Sequence, residues 1–171
     1  MVDVIIRNLS PDDSPAAVSA VYEASWKVGY RGMLPDEYLD SIQPGKWNFV
    51  SENTAWRNLL ALDGNRIVGA SSFAAARLEN MAGWGEIISF YLHPEYFGRG
   101  VSGPLMQAVL KELSAMGFRD IYLWVLEENH RARRFYERFG FSPSGEALDA
   151  VIGGKAVREL QYIHHIEEPT P

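Results

Sequence analysis

Apolar residues recur along this chain at two spacings, and the switches between them mark its elements. Val4 to Asn8 is a short extended run. Ser10-Pro11-Asp12-Asp13-Ser14-Pro15 groups turn and cap residues, with Pro15 suited to the first turn of a helix. Val18, Val21, Tyr22 and Ser25 then follow at helical spacing to about Val28. Gly29 to Pro35 reads as a loop, and Pro35 opens a second short helix through Leu39. Two extended runs, Asn53 to Leu62 and Arg66 to Ala76, flank Asp63-Gly64-Asn65, a hairpin turn. Asn80 to Gly83 turns the chain again before a strand from Trp84 to Leu92. Even spacing there sets Glu86, Ile88, Phe90 and Leu92 on one face.

The second half alternates in the same way. Val101 to Met116 predicts a helix with Val101, Leu105, Ala108, Val109, Leu113 and Met116 on its apolar side, stopped by Gly117. Ile121 to Leu126 is a compact buried strand. Asn129 caps a helix carrying Ala132, Phe135, Tyr136 and Phe139, which ends at Gly140. Phe141 to Ala147 and Ala156 to His164 close the chain as two strands around Gly153-Gly154, and the tail Glu167 to Pro171 is expected to fray. With no repeat, linker or low-complexity segment, the pattern predicts a single α/β (α+β) domain over 1–171, core about 4–166. Its central sheet is mixed and mostly antiparallel, flanked by helices.

Composition narrows the chemistry. A chain of 171 residues, 47% apolar and 22% charged, is long enough to bury a core. Its net charge of −6 gives no field that draws in nucleic acid or an anionic membrane. The absence of cysteine excludes disulfides, thiolate nucleophiles and Cys-based metal sites. His164 and His165 are adjacent in a strand and face opposite sides, so no metal site is expected. The start Met-Val-Asp-Val-Ile-Ile-Arg lacks the pattern of a signal peptide, and no apolar run is long enough to span a bilayer, so the expected location is cytoplasmic.

The most informative stretch is Phe97-Gly98-Arg99-Gly100-Val101-Ser102-Gly103. A strand that stops at His93-Pro94, crosses a glycine-rich turn and enters a helix gathers backbone N–H groups at the positive end of the helix dipole. That arrangement binds anions such as phosphate, and glycines let the main chain approach closely. A phosphate-bearing ligand is expected here.

Two segments carry a family resemblance. Glu86 to Ser102 is similar to the strand, pyrophosphate loop and helix of the GNAT N-acetyltransferases, whose loop reads Gln/Arg-x-x-Gly-x-Gly/Ala. Asn129-His130-Arg131-Ala132-Arg133-Arg134-Phe135-Tyr136-Glu137-Arg138-Phe139-Gly140-Phe141 resembles their Asn-x-x-Ala-x-x-Phe-Tyr-Glu-x-x-Gly-Phe run. Two positions depart from the pattern: Phe97 stands in the Gln/Arg slot, and Ser102 replaces the usual Gly or Ala.

The resemblance implies transfer of an acetyl group from acetyl-CoA to a primary amine by direct attack in a ternary complex. The diphosphate would rest on the amides of residues 97 to 103, with Arg99 adding charge. The pantetheine arm would pair along Phe90, Tyr91 and Leu92 and contact Asn129. Tyr136 would protonate the departing thiolate. An alkylammonium with a pKa near 10.4 must lose a proton to attack, at a cost of about 4–5 kcal/mol at pH 7. Glu86, at the position where some members carry their base, would accept that proton directly or through water. Trp26, Tyr30 and Arg31, with the region Leu148 to Lys155, would face a small-molecule or peptide amine. Homodimers are frequent in the family. Two alternatives stay open: a non-catalytic acyl-CoA binding or sensing module, and an ATP-binding loop, although the Gly-Lys-Ser/Thr ending of the latter is absent.

Overall fold

The computed structural model describes residues 1–167, so most of the tail expected to fray lies outside the described residues. The elements in chain order are β1 (Ile5–Asn8), α1 (Pro15–Gly29), α2 (Asp36–Asp40), α3 (Asn48–Glu52), β2 (Arg57–Asp63), β3 (Arg66–Ala75), β4 (Gly85–Leu92), α4 (Ser102–Ala115), β5 (Asp120–Leu126), α5 (His130–Arg138), β6 (Ser142–Ile152) and β7 (Lys155–His165). They form one seven-stranded sheet in the order β1-β2-β3-β4-β5-β7-β6. Every neighbouring pair is antiparallel except β4 and β5. This is the mixed, mostly antiparallel sheet flanked by helices that the sequence predicts.

Local chemistry explains where the helices start. The Ser14 side chain accepts the Ala17 N–H and Pro15 occupies the first turn of α1. Asn129 caps α5 by accepting the Ala132 N–H at 3.2 Å. Apolar faces then assign sides. Val101, Leu105, Met106, Val109 and Leu113 join Phe73, Ile87 and Leu123 in a core on one face of the sheet. Val18, Tyr22, Leu39 and Val50 of α1 to α3 cover the other face against Leu60, Leu62 and Ala70. Among the described residues no helix is long and apolar enough to cross a membrane.

Three expectations need correction. First, β2 begins at Arg57, because Asn53 to Trp56 forms a turn in which Asn53 Oδ1 accepts the Ala55 N–H and its carbonyl accepts that of Trp56. The five-residue α3 before it has no side-chain cap to announce it. Second, the closing hairpin is longer than the hydrophobic pattern showed, with Ile152 pairing with Lys155 across Gly153-Gly154. Both glycines have positive φ, as a two-residue primed turn requires. Third, Ile88 is an extra residue in β4, since Ile87 pairs with Phe73 and Ser89 with the adjacent Ser72. This bulge reverses side-chain parity. Glu86 therefore shares a face with Ser89 and Tyr91 rather than with Phe90 and Leu92.

The hairpin tip rests on α2, where a Cβ on Gly153 would lie 2.5–2.6 Å from Tyr38 side-chain atoms. Gly153 also has a φ of +60°. Gly153→Ala should therefore cost about 2 kcal/mol, read as a fall of several degrees in Tm. An unchanged Tm would mean that the tip does not pack on α2.

Candidate active site

The sheet opens at its centre. β4 and β5 pair only at Gly85–Ile121 and Glu86–Tyr122, after which the two parallel strands separate. Between them lies a cleft of about 740 Å3, walled by β4, β5, α1, α5 and the β6–β7 hairpin. The split frees the β4 edge beyond Glu86 from hydrogen bonding to β5, so an extended ligand can lie along Phe90, Tyr91 and Leu92, all of which line the cleft.

One mouth of the cleft is the glycine turn. The Phe97 and Arg99 N–H groups are already spent on the Pro94 and Tyr96 carbonyls. Those of Gly98, Gly100, Val101, Ser102 and Gly103 have no protein partner among the described residues. They stand at the N-terminus of the 14-residue α4, and Gly98 and Ser102 line the cleft. Gly98 takes a φ of +70° with nothing within 4 Å of its missing Cβ. An unsatisfied amide cluster at a helix N-terminus suits a diphosphate. The expected cradle of residues 97 to 103 is thus narrowed to five amides.

The cations differ from expectation. The Arg99 guanidinium lies over the Tyr96 ring at 5.1 Å and donates to the Glu95 carbonyl, outside the cleft lining. Arg131 and Arg138 line the cleft instead, and Arg131 stacks 4.0 Å above the Phe97 ring. Phe97, in place of a polar residue, therefore serves as a platform that holds a guanidinium beside the turn. Sequence reasoning passed over Arg131 because a basic residue in a helix first turn reads as solvated surface.

Tyr136, 9% exposed, projects from α5 into the cleft between Phe135 and Phe141, with ring centroids 5.5 and 5.9 Å away. Its hydroxyl has no protein partner among the described residues, and burial raises the phenol well above its ordinary value. It stays protonated at neutral pH. Phe90 stacks on Phe135 at 5.5 Å along the same wall, and Asn129 lines the cleft while its Oδ1 serves as the α5 cap.

Glu86 also reaches the cleft but is not a free base. It is 2% exposed, and both carboxylate oxygens accept from Arg77: Nη2 at 2.7 Å, Nε at 3.1 and 3.2 Å, and the backbone N–H at 3.1 Å. Burial pushes its pKa up, yet the Arg77 bonds and charge together outweigh this and hold it below the usual value. Of the two routes expected for Glu86, direct or through water, a fixed, ionised carboxylate held by Arg77 favours the one through water.

The opposite mouth is aromatic. Trp26 and Tyr30 pack edge to face at 4.8 Å, Trp26 lies 6.4 Å from Tyr91, and the Tyr30 and Tyr91 hydroxyls are 3.3 Å apart. Met33, Leu148, Ile152 and Glu159 complete this end. Trp26 and Tyr30 thus line the cleft. Arg31 does not: its guanidinium pairs with Asp36 and Asp40 of α2 and lies outside the lining. Among the described residues no three His, Asp or Glu side chains gather as metal ligands.

Comparison with known proteins fits this geometry. Along 94% of its length the chain is 26% identical to the spermidine N(1)-acetyltransferase of Thermoplasma acidophilum, covering 99% of that relative. It is 25% identical to the uncharacterized N-acetyltransferase YuaI of Bacillus subtilis, covering 84% of this chain and 83% of that one. Its fold matches the crystal structure of PaiA N-acetyltransferase from Thermoplasma acidophilum in complex with coenzyme A, with a TM-score of 0.74, 21% identity, and 96% and 99% of the two chains covered. The model of the Acetyltransferase (GNAT) family matches residues 19–141, more than half of the chain. With the split sheet, the amide cradle and the matching motifs, this places the chain in the GNAT family of N-acetyltransferases.

Proposed function

We propose that the protein transfers an acetyl group from acetyl-CoA to a primary amine by direct attack within a ternary complex. The observation that carries this reading is the pair formed by five unpartnered amides at one mouth of the cleft and an unpartnered phenol, Tyr136, farther in. The cradle and the free β4 edge suit the diphosphate and the amide-rich arm of CoA. Bound there, acetyl-CoA supplies the thioester carbonyl that a neutral amine attacks.

The protein residues do the rest. Gly98, Gly100, Val101, Ser102 and Gly103 hold the diphosphate through main-chain N–H groups, with Arg131 and Arg138 adding charge. Asn129 flanks the carrier arm. The opened β4 edge at Phe90 to Leu92 orients that arm, and an N–H in this stretch stabilises charge developing on the carbonyl oxygen. Tyr136 Oη donates its proton to the departing sulfur. Glu86, kept ionised by Arg77, is the anionic end of a water path by which the ammonium proton leaves. Trp26 and Tyr30 wall the acceptor side. That a relative is a spermidine acetyltransferase supports an amine acceptor.

Calorimetric titration with CoA and thiol release from acetyl-CoA in the presence of amines test the reading. Saturable CoA binding with amine-dependent thiol release is expected. CoA binding without turnover on any amine would favour a sensing module. Gly98→Val forces a β-branched residue to positive φ beside the amides, and should weaken CoA about 10-fold. Unchanged affinity would remove the turn from the binding site.

A further inference from the structure

Among the described residues Glu86 and Glu159 are the acidic ones that line the cleft, and the proposed mechanism leaves Glu159 unused. It stands on β7 opposite Leu126 and Leu148 in the sheet register. Alternation along the strand turns it to the same face as Val157, toward α1, while Arg158 and Leu160 point the other way. Among the described residues it makes no hydrogen bond or ion pair. The nearby Lys155 is engaged by the Met33 carbonyl at 2.7 Å and Glu128 at 3.6 Å. A half-buried carboxylate without a partner is costly, and burial holds Glu159 above the usual carboxylate value.

Its position in the cleft follows from the packing on the two faces of the sheet. Tyr30 and Tyr91 pack in the core on the α1 face of the sheet together with Val157, the side to which Glu159 is turned. Tyr136 packs in the core on the other face, with Phe90 and Phe135. Glu159 therefore lies with the Tyr30–Tyr91 pair on one side of the split sheet and Tyr136 on the other, all lining one cleft. An acceptor amine reacting beside Tyr136 reaches Glu159 only by extending across the cleft. One end of such a molecule reacts while the other meets an unpaired carboxylate in the part of the cleft that Trp26, Tyr30 and Tyr91 also line.

We propose that Glu159 is the counter-ion for a second, non-reacting ammonium, and that the acceptor is a diamine or longer polyamine with cationic groups at two separated positions. This rests on the acetyl-transfer reading and adds to it the end of the substrate that does not react. The aromatic rings contribute cation–π attraction to the same ammonium, and the carboxylate repels an acceptor whose far end is anionic.

The experiment compares putrescine, cadaverine and spermidine with n-butylamine and γ-aminobutyrate, in the wild type and in Glu159→Gln, by thiol release and by calorimetry of the CoA-bound protein. The wild type is expected to prefer the diamines over n-butylamine by about 30-fold in kcat/KM and to reject γ-aminobutyrate. Glu159→Gln should reduce that preference to within about 3-fold by raising the diamine KM, with kcat and CoA affinity retained. Glu159→Asp, which keeps the charge, should restore part of it. Equal wild-type use of butylamine and putrescine overturns the proposal. So does a Glu159→Gln variant whose kcat falls equally for all amines, because that assigns proton transfer rather than anchoring. A wild type that binds CoA but turns over none of these amines overturns the acetyl-transfer reading itself, a failure distinguishable from the others.

Discussion

Replacing Tyr136 with Phe is expected to lower kcat by about 1,000-fold while leaving the fold and CoA affinity unchanged. General acid catalysis contributes about 100- to 10,000-fold, and the mechanism offers no second proton donor at this place in the cleft. The structural side of the expectation follows from the hydroxyl having no protein partner: its removal orphans no buried group, and the ring keeps its edge-on packing against Phe135 and Phe141. Stability should therefore change by no more than about 0.5 kcal/mol. Burial holds the phenol protonated across the neutral range, so the kcat of the wild type should show no loss attributable to Tyr136 ionisation up to about pH 10. Thiol-release kinetics beside CoA calorimetry measure both halves. An equal kcat in the variant, with acetyl-CoA saturating, would take the phenol out of the reaction.

The turn before α4 was legible in the sequence because glycine spacing and a helix start are local signals. The run from Asn129 to Phe141 was legible for the same reason: a cap, an apolar stripe and a terminating glycine lie within 13 residues. What depended on distant partners was not. Nothing in Ile87-Ile88 marks a bulge, since either isoleucine suits a strand, and only the pairing with β3 shows that Ile88 is the extra residue. One inserted residue moved Glu86 to the other face. Its partner Arg77 lies nine positions earlier, brought alongside by the turn between β3 and β4. Glu159 sits in Arg-Glu-Leu, a pattern typical of an exposed strand, and only the pairing with Leu126 of β5 and Leu148 of β6 shows it inside the sheet beside the cleft. Arg31 is the reverse case. Asp36 and Asp40 were visible five and nine residues on, and weighing them would have kept its guanidinium off the acceptor side.

Removing the Glu86 carboxylate should cost about 2 kcal/mol at neutral pH, the largest stability effect expected from a change in the cleft. Breaking a fully buried pair costs about 3–5 kcal/mol, mostly because a charge is stranded. Here the partner is less confined: the Arg77 side chain is 51% exposed, so water recovers part of what Glu86→Ala takes away. The pH dependence has a definite sign. Glu86 is held below its unfolded value of about 4.3, so its contribution is complete above that pH and is lost as pH falls through the lower folded value. Denaturant melts of the wild type and Glu86→Ala should differ by a constant amount from about pH 5 to 8 and converge under acid. Glu86→Gln, which can still accept from Arg77, should lose less stability while removing the anion from the proposed water path, so its kcat should fall by more than its stability suggests. A stability difference that widened on acidification would mean that the carboxyl is protonated in the native protein, and the cleft would then lack the fixed anion on which that proton path depends.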